Sequence, residues 1–463
     1  MPKDPRSAAS GRLTIEELQA QIESGQIDTV IAATVDLQGR LMGKRVSGRY
    51  FMDSVAKQGV HACSYLWAMD VENNLLPGFA LTSWRTGYQD MLAVLDFSTI
   101  RRVPWLEATA VILCDLLTEH GETVEVYPRQ ILRRQLEKAS ALGYRVKTAS
   151  ELEFFVFRES YEEAAEKSYH DLTPWGHYIE DYHILQGTKL EWLLRQIRNG
   201  MEQADIPVEY SKGEWGHGQS EINLRYAEAL EMADRHVLYK NGAKEIAALN
   251  NVSLTFMAKW SEAQAGSSFH LHSSLWSSDD SPLFYSHGAE PFGMSDLMKY
   301  WVAGQLAMAR DFSLFYAPNI NSYKRYREGS FAPVKVVWGY DNRTCGLRLV
   351  GEGPSLRMES RIPGADANPY LGFAATVAAG LYGIEHRLDL APMFSGDAYL
   401  TADVPSVPAD ISEAIGAMEH SATARELLGD EVIDHYLQLA RCEVDSFNSV
   451  VTCWERSRNF ERI

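Results

Sequence analysis

Cysteine is scarce in this chain, and the few there are form no pattern. Cys63, Cys114, Cys345, Cys442 and Cys453 are odd in number, scattered, and never arranged as C-x-x-C. That excludes a disulfide framework and a thiolate zinc site, and the expected compartment is a reducing cytoplasm. Positive charge is in deficit: 44 lysines and arginines against 62 aspartates and glutamates leave a formal net charge of −18. Such a chain has no general affinity for nucleic-acid phosphates or anionic membranes, so neither is an expected partner. Long hydrophobic runs are missing as well. The longest, YLGFAATVAAGLYGI at 370–384, is too short to span a bilayer and follows Asn368-Pro369, an N-cap and first-turn pair, so it reads as a buried helix. The opening MPKDPRSAAS is polar with no apolar stretch behind it, unlike a secretory leader. Internal repeats and low-complexity tracts are absent. At 463 residues the chain can bury a sizeable core, and a small-molecule site is the expected function class.

The stretch TIEELQAQIESG sets Thr14 and Glu17 at capping-box spacing and stops at Gly25, which predicts a first helix. TVIAATVDLQGRLMGKRVS reads as two short strands around a turn at Asp36 to Gly39. A small strand-rich unit is expected to end near RRVPW, where Pro104 punctuates the chain, giving units of 1–104 and 105–463. Beyond it, helices near 129–142, 189–204, 228–249 and 295–315 alternate with strands near 144–158, 252–258, 268–276 and 355–362, before a helical tail from about 409.

Three of these strands carry a polar stripe over an apolar back. Side chains two apart on a strand share a face, so Glu151 and Glu153 of ELEFFVF point the same way. His270, His272 and Ser274 share a face of FHLHSSLW, and Arg357, Glu359 and Arg361 share one of LRMESRI. Glu214 and Glu221 lie seven apart in GEWGHGQSEI, an odd separation, so Gly216 to Gly218 must loop if both are to converge. Together Glu151, Glu153, Glu214, Glu221, Glu359 and His270 supply five carboxylates and one imidazole, a hard set suited to Mg2+ or Mn2+. Divalent ions beside arginines are the usual apparatus for phosphoryl transfer.

The stretches CDLLTEHGETVEVYPRQIL, ELEFFVF, HGQSEI, SSFHLHSSLW, NSYKRY, DNRT, RMESRIPGADANPYLGFAA and VTCWER resemble glutamine synthetase of the bacterial type over nearly the full length. The resemblance implies an α+β fold, with a small N-terminal β-grasp domain before a catalytic domain whose bent antiparallel sheet is flanked by helices. It implies a homo-oligomer, a dodecamer of two stacked hexameric rings, with the active site shared between subunits. It places two or three Mg2+ or Mn2+ ions per site, one on Glu153, Glu214 and Glu221 and one on Glu151, His270 and Glu359. L-glutamate would be held by Gly266, Arg325, Arg343 and Arg361. Arg343 and Arg348 would meet the phosphoryl group in transfer, and ATP would face His272, Ser274, Arg348 and Arg357. The implied chemistry has two steps, phosphorylation of the γ-carboxylate of glutamate and attack of an amine on the acyl phosphate.

The chain departs from that pattern at the amine end. In the family a glutamate immediately precedes the Ala-Pro of the flap after NSYKR, and here that position is Phe331. Glu328 lies three residues upstream, off that position. The ammonium-binding aspartate of the N-terminal region has two candidates, Asp70 and Asp90. The segment around Tyr399 does not show the family's adenylylation pattern. Loss of the flap carboxylate resembles the γ-glutamylamide ligases of the family, with Phe331, Trp67, Trp84 and Trp215, and Tyr88 beside them, as candidate walls of an amine pocket. Three readings stay open: a glutamate–organic amine ligase, an ammonia-using glutamine synthetase, and an inactive glutamate or nucleotide sensor.

Overall fold

The computed structural model describes residues 11–463; MPKDPRSAAS lies outside them, and with it the reading of that segment. The first sheet begins as expected. Helix α1 (Ile15–Glu23) is opened by the Thr14/Glu17 capping box, and strands β1 (Thr29–Val35) and β2 (Leu41–Ser47) form an antiparallel hairpin. Its turn is held by Asp36, whose Oδ1 accepts backbone N–H groups of Gln38 at 3.0 Å and Arg40 at 2.7 Å. Strands β3 (Val60–Cys63), β4 (Asp90–Leu95), β5 (Arg101–Arg102) and β6 (Thr109–Leu117) complete it in the order β2-β1-β6-β4-β3, with β5 on β6. β1 and β6 run parallel in the centre, as in a β-grasp. Because β6 lies beyond Pro104, the strand-rich unit continues to Leu117: the proline ends β5's surroundings, whereas the apolar run TAVILCDLL is the sheet's central strand.

The second sheet is built on β7 (Arg145–Phe157), with β8 (Val208–Gly213), β9 (Gln219–Leu224), β10 (Ala227–Glu228), β11 (Ser253–Thr255), β12 (Phe269–Trp276), β13 (Trp338–Tyr340), β14 (Leu347–Val350) and β15 (Arg357–Ser360). Its order is β13-β14-β15-β12-β7-β9-β8. The pairs are antiparallel except β13 with β14, which are parallel, so the expected antiparallel sheet has one parallel edge. One face is apolar and packs on helices α2 (Pro128–Ala141), α3 (Ile184–Gln203), α4 (Ala229–Leu249), α5 (Asp296–Met308) and α6 (Pro369–Glu385). α6 is the buried helix read from its apolar run. It meets α5 so closely that a Cβ on Gly304 would lie 2.0 Å from the Ala379 carbonyl. Among the described residues no helix is long and apolar enough to cross a membrane. The two sheets are joined through Arg129, 1% exposed, which donates to Asp115 at 2.6 Å, Asp96 at 2.8 Å and Asp234 at 2.9 Å.

Candidate active site

The polar face of the second sheet forms one wall of a cavity of about 680 Å³. Strand register decides what meets there. Across β7 and β12, Glu151 stands opposite His270; across β7 and β9, Glu153 stands opposite Glu221; across β12 and β15, His272 stands opposite Glu359; across β15 and β14, Glu359 stands opposite Arg348. Directly opposed side chains have Cβ atoms about 5 Å apart, so these seven residues from five strands converge on one patch. The resulting contacts are short: His270 Nδ1 to Glu151 Oε1 at 2.7 Å, Arg361 Nη1 to Glu359 Oε1 at 2.6 Å, and Arg348 Nη1 to Glu359 Oε2 at 2.9 Å.

Five acidic groups on one patch, Glu153, Glu221 and Glu359 of them buried, make a strained charge balance. Glu153 is pushed up to about 8 by burial and then by the neighbouring Glu214 carboxylate. Glu221 is pushed well up by burial and by repulsion from Glu151 and Glu214. Burial also opposes the charge on Glu359 most strongly, but Arg361, His270 and His272 together outweigh it and hold the carboxyl at about 2. Ligand atoms of Glu151, His270 and Glu359 lie within 4.8 Å of one another, and so do those of Glu153, Glu221 and His270. Glu221 Oε1 is buried with no hydrogen-bond partner. Crowded carboxylates, an orphaned acceptor and one imidazole fit hard divalent cations. The grouping differs in one respect from the expected sets: Glu214 lines the cavity, but its carboxylate is taken by Lys212, which register sets opposite Glu221 on β8.

Glycine and arginine shape the neighbouring wall. The Glu214–Gly218 loop closes as expected, with Gln219 Oε1 accepting from the Gly216 N–H at 2.9 Å. Gln219 Nε2 then donates to the Gly266 carbonyl at 2.9 Å and to Glu153 at 3.1 Å. A Cβ on Gly266 would sit 2.4 Å from Arg325 Cγ, so that approach requires glycine. Arg325 is 1% exposed and braces the site, donating to Ser268 Oγ at 3.0 Å and to the Ile362 carbonyl. Arg343 and Arg348 both line the cavity although they are five apart, because Arg343 sits in the turn before β14 and Arg348 within that strand. Asp341, which sequence reasoning missed, accepts from Arg348 Nε at 3.1 Å.

A second cavity of about 420 Å³ shares Glu151, His272 and Arg357 with the first and adds Ser274. Tyr226 and Trp276 lie stacked on its wall, 16° from parallel, and Lys147 Nζ is 3.8 Å from the Trp276 ring centre. Neither aromatic carries a signal in the sequence beyond its type.

At the other end of the first cavity, Phe331 and Trp215 meet edge to face at 6.2 Å. Phe331 has φ 59, and its carbonyl accepts from Arg361 at 3.4 Å. The flap beyond it is pinned by Tyr399, whose hydroxyl donates to the Ala332 carbonyl at 2.9 Å. Four other candidates lie elsewhere in the chain. Trp67 is fully buried in the core, its indole donating to the Val35 carbonyl at 3.0 Å, so it cannot wall an amine pocket. Asp70 caps its own turn, accepting from the Glu72 and Asn74 N–H groups at 2.9 and 2.8 Å. Asp90 is an exposed residue on β4 opposite Cys63. Trp84, 81% exposed, packs on Tyr88 alone among aromatics, away from the cavity of its own chain.

Known proteins resemble this chain over nearly its whole length. A γ-glutamylethanolamide synthetase of Streptomyces coelicolor is 51% identical over 451 residues, covering 97% of this chain and 96% of its own. A glutamate–isopropylamine ligase of a Pseudomonas species is 38% identical, covering 96% and 97%. Among solved structures, the complex of GmaS with ADP superposes with a TM-score of 0.84 at 26% identity, covering 96% of this chain and 99% of that one. Residues 125–459 match the catalytic domain of glutamine synthetase, and the chain therefore belongs to the glutamine synthetase family.

Proposed function

We propose that the protein is an ATP-dependent γ-glutamylamide synthetase that joins the γ-carboxylate of L-glutamate to a short primary alkylamine, with ethanolamine the first candidate. The observation that carries this reading is the aromatic pair Phe331 and Trp215 at the flap, where an ammonia-using member of the family has a carboxylate. The 51% identical relative named for ethanolamide synthesis and the 38% identical one named for isopropylamine support the same end of the cavity as an amine pocket.

In this reading Arg361 and the backbone at Gly266 orient glutamate, and Arg325 fixes the loop that carries them. The adenine ring lies by Tyr226 and Trp276, and Arg357 with His272 directs the phosphates toward the shared wall. The γ-carboxylate attacks the terminal phosphorus of ATP; Arg343 and Arg348 offset charge on the transferring group, since a guanidinium matches phosphoryl oxygens in two contacts. Glu151, Glu153, Glu221, His270 and Glu359 would hold divalent cations, which neutralise phosphate charge when bound. The amine then displaces phosphate from γ-glutamyl phosphate. Exposed Trp84, Trp454 and Phe460, 81%, 65% and 89% accessible, support a ring-based homo-oligomer, proposed as the dodecamer. Five free cysteines support a reducing cytoplasm. Phosphate release from ATP that requires glutamate and an amine together tests the reading; release that ignores the amine would overturn it.

A further inference from the structure

The amine end of the cavity contains one carboxylate, Asp181, that belongs to none of the strand stripes read from the sequence. Asp181 and Tyr182 line the cavity from the segment that precedes α3, and both have left-handed backbones, φ 25 and φ 67. Non-glycine residues rarely adopt that conformation, and it persists where the surroundings over-determine it, often at functional sites. Here the surroundings do so. The Asp181 N–H donates to the Glu214 carbonyl at 3.1 Å, and the His183 N–H donates to the Glu180 carbonyl at 2.8 Å, closing the corner on both sides. Glu180 itself is 6% exposed and wedged against the backbones of Gly187 and Gly213, where a Cβ on Gly213 would meet its Cγ at 2.1 Å. The Tyr182 ring lies under Lys212, 4.5 Å from its Nζ.

This corner therefore presents Asp181 beside Glu214 and Trp215, which in turn touches Phe331. Two carboxylates are available at this end. Glu214 is occupied by Lys212, whereas no hydrogen bond or ion pair engages the Asp181 side chain among the described residues. Resting on the reading of the protein as an organic-amine ligase, we propose that Asp181 anchors the ammonium group of the incoming amine and accepts its proton. Tyr182, Trp215 and Phe331 wall a pocket for a short primary alkylamine. The step balances: R–NH3+ gives one proton to the Asp181 carboxylate. The free amine forms a C–N bond to the γ-carbonyl carbon of γ-glutamyl phosphate as the C–O bond to phosphate breaks. The second N–H proton leaves with phosphate, and Asp181 returns its proton to solvent. An alkylammonium near pKa 10 costs roughly 4 kcal/mol to deprotonate at pH 7, which a carboxylate in place lowers. General-base assistance of this kind is worth about 10²–10⁴ in rate.

The test compares wild type with D181N on two nucleophiles at neutral pH. Ethanolamine arrives protonated, and hydroxylamine arrives neutral and needs no base. D181N should lose about 100-fold in kcat/KM for ethanolamine and less than about threefold for hydroxylamine. Positional isotope exchange in ATP with glutamate alone, which reports phosphoryl transfer without the amine, should be unchanged and so show that the variant is folded. Equal losses on both nucleophiles, or an ethanolamine loss under threefold, would overturn the assignment. Should wild type itself favour ammonia, the organic-amine reading fails separately. Ammonium, also protonated, then replaces ethanolamine in the same comparison, and an unaffected D181N still refutes Asp181 as base.

Discussion

Glu359 has the most ion-pair partners of the site's carboxylates, Arg361, Arg348 and His270, and removing its charge is a direct structural perturbation. The carboxylate is fully buried and bonded to Arg361 at 2.6 Å and Arg348 at 2.9 Å. Its folded-state pKa of about 2, against an ordinary 4.5, corresponds to roughly 3 kcal/mol of stabilisation. The direction follows from proton binding. Between pH 2 and 4.5 the unfolded chain holds more protons, so this stability is complete above the unfolded value and is lost as pH falls through the folded one. In Glu359→Gln the buried Arg361 guanidinium is left without its counter-charge while Arg348 keeps Asp341, and removing one partner of a buried pair costs about 3–5 kcal/mol. Thermal unfolding at neutral pH in excess chelator isolates this effect from any cation. A fall in Tm of about 5 °C or more is expected, at roughly 2–4 °C per kcal/mol for large domains. A Tm within about 1 °C of wild type would refute the argument that Glu359 neutralises the arginine pair.

Gly266→Ala places a Cβ 2.4 Å from Arg325 Cγ; overpacking of about 1–3 kcal/mol should shift that arginine and lower kcat/KM for glutamate about tenfold, and steady-state kinetics showing no change would mean the approach is loose. Phe331→Glu returns a carboxylate to the flap, and the ratio of ammonia to ethanolamine kcat/KM should rise at least about tenfold; an unchanged ratio would remove Phe331 from amine selection. Burial raises Glu180 to about 7, so the folded chain binds more protons than the unfolded between 4.5 and 7 and stability falls as pH rises through that window. Glu180→Gln should flatten this slope, at most about 1.4 kcal/mol per pH unit, in denaturant titrations run across it.

Much of the site was legible because strands have a fixed period of two. The stripes Glu151/Glu153, His270/His272 and Arg357/Glu359/Arg361 required only alternation, and the capping box and Asn368-Pro369 placed their helices. What the sequence did not carry was register, a property of pairs. Nothing local sets Lys212 opposite Glu221, so the cation facing that carboxylate was invisible. Aromatic identity was equally mute: Trp67 and Trp215 read alike, yet one is the fully buried core and the other is half exposed at the cavity. Pro104 misled because a proline marks a turn and not a domain edge, and β6 follows it into the same sheet. Asp181 gave no periodic signal, since its place depends on a left-handed corner closed by residues distant in sequence.

The central claim is that the flap aromatics select an organic amine over ammonia. The direct measurement is kcat/KM for ethanolamine, isopropylamine, putrescine and ammonia at fixed saturating ATP and glutamate. Ethanolamine or isopropylamine should lead, with ammonia and putrescine at least about tenfold behind, the latter because its second cation meets an aromatic wall. Ammonia in first place would contradict the account.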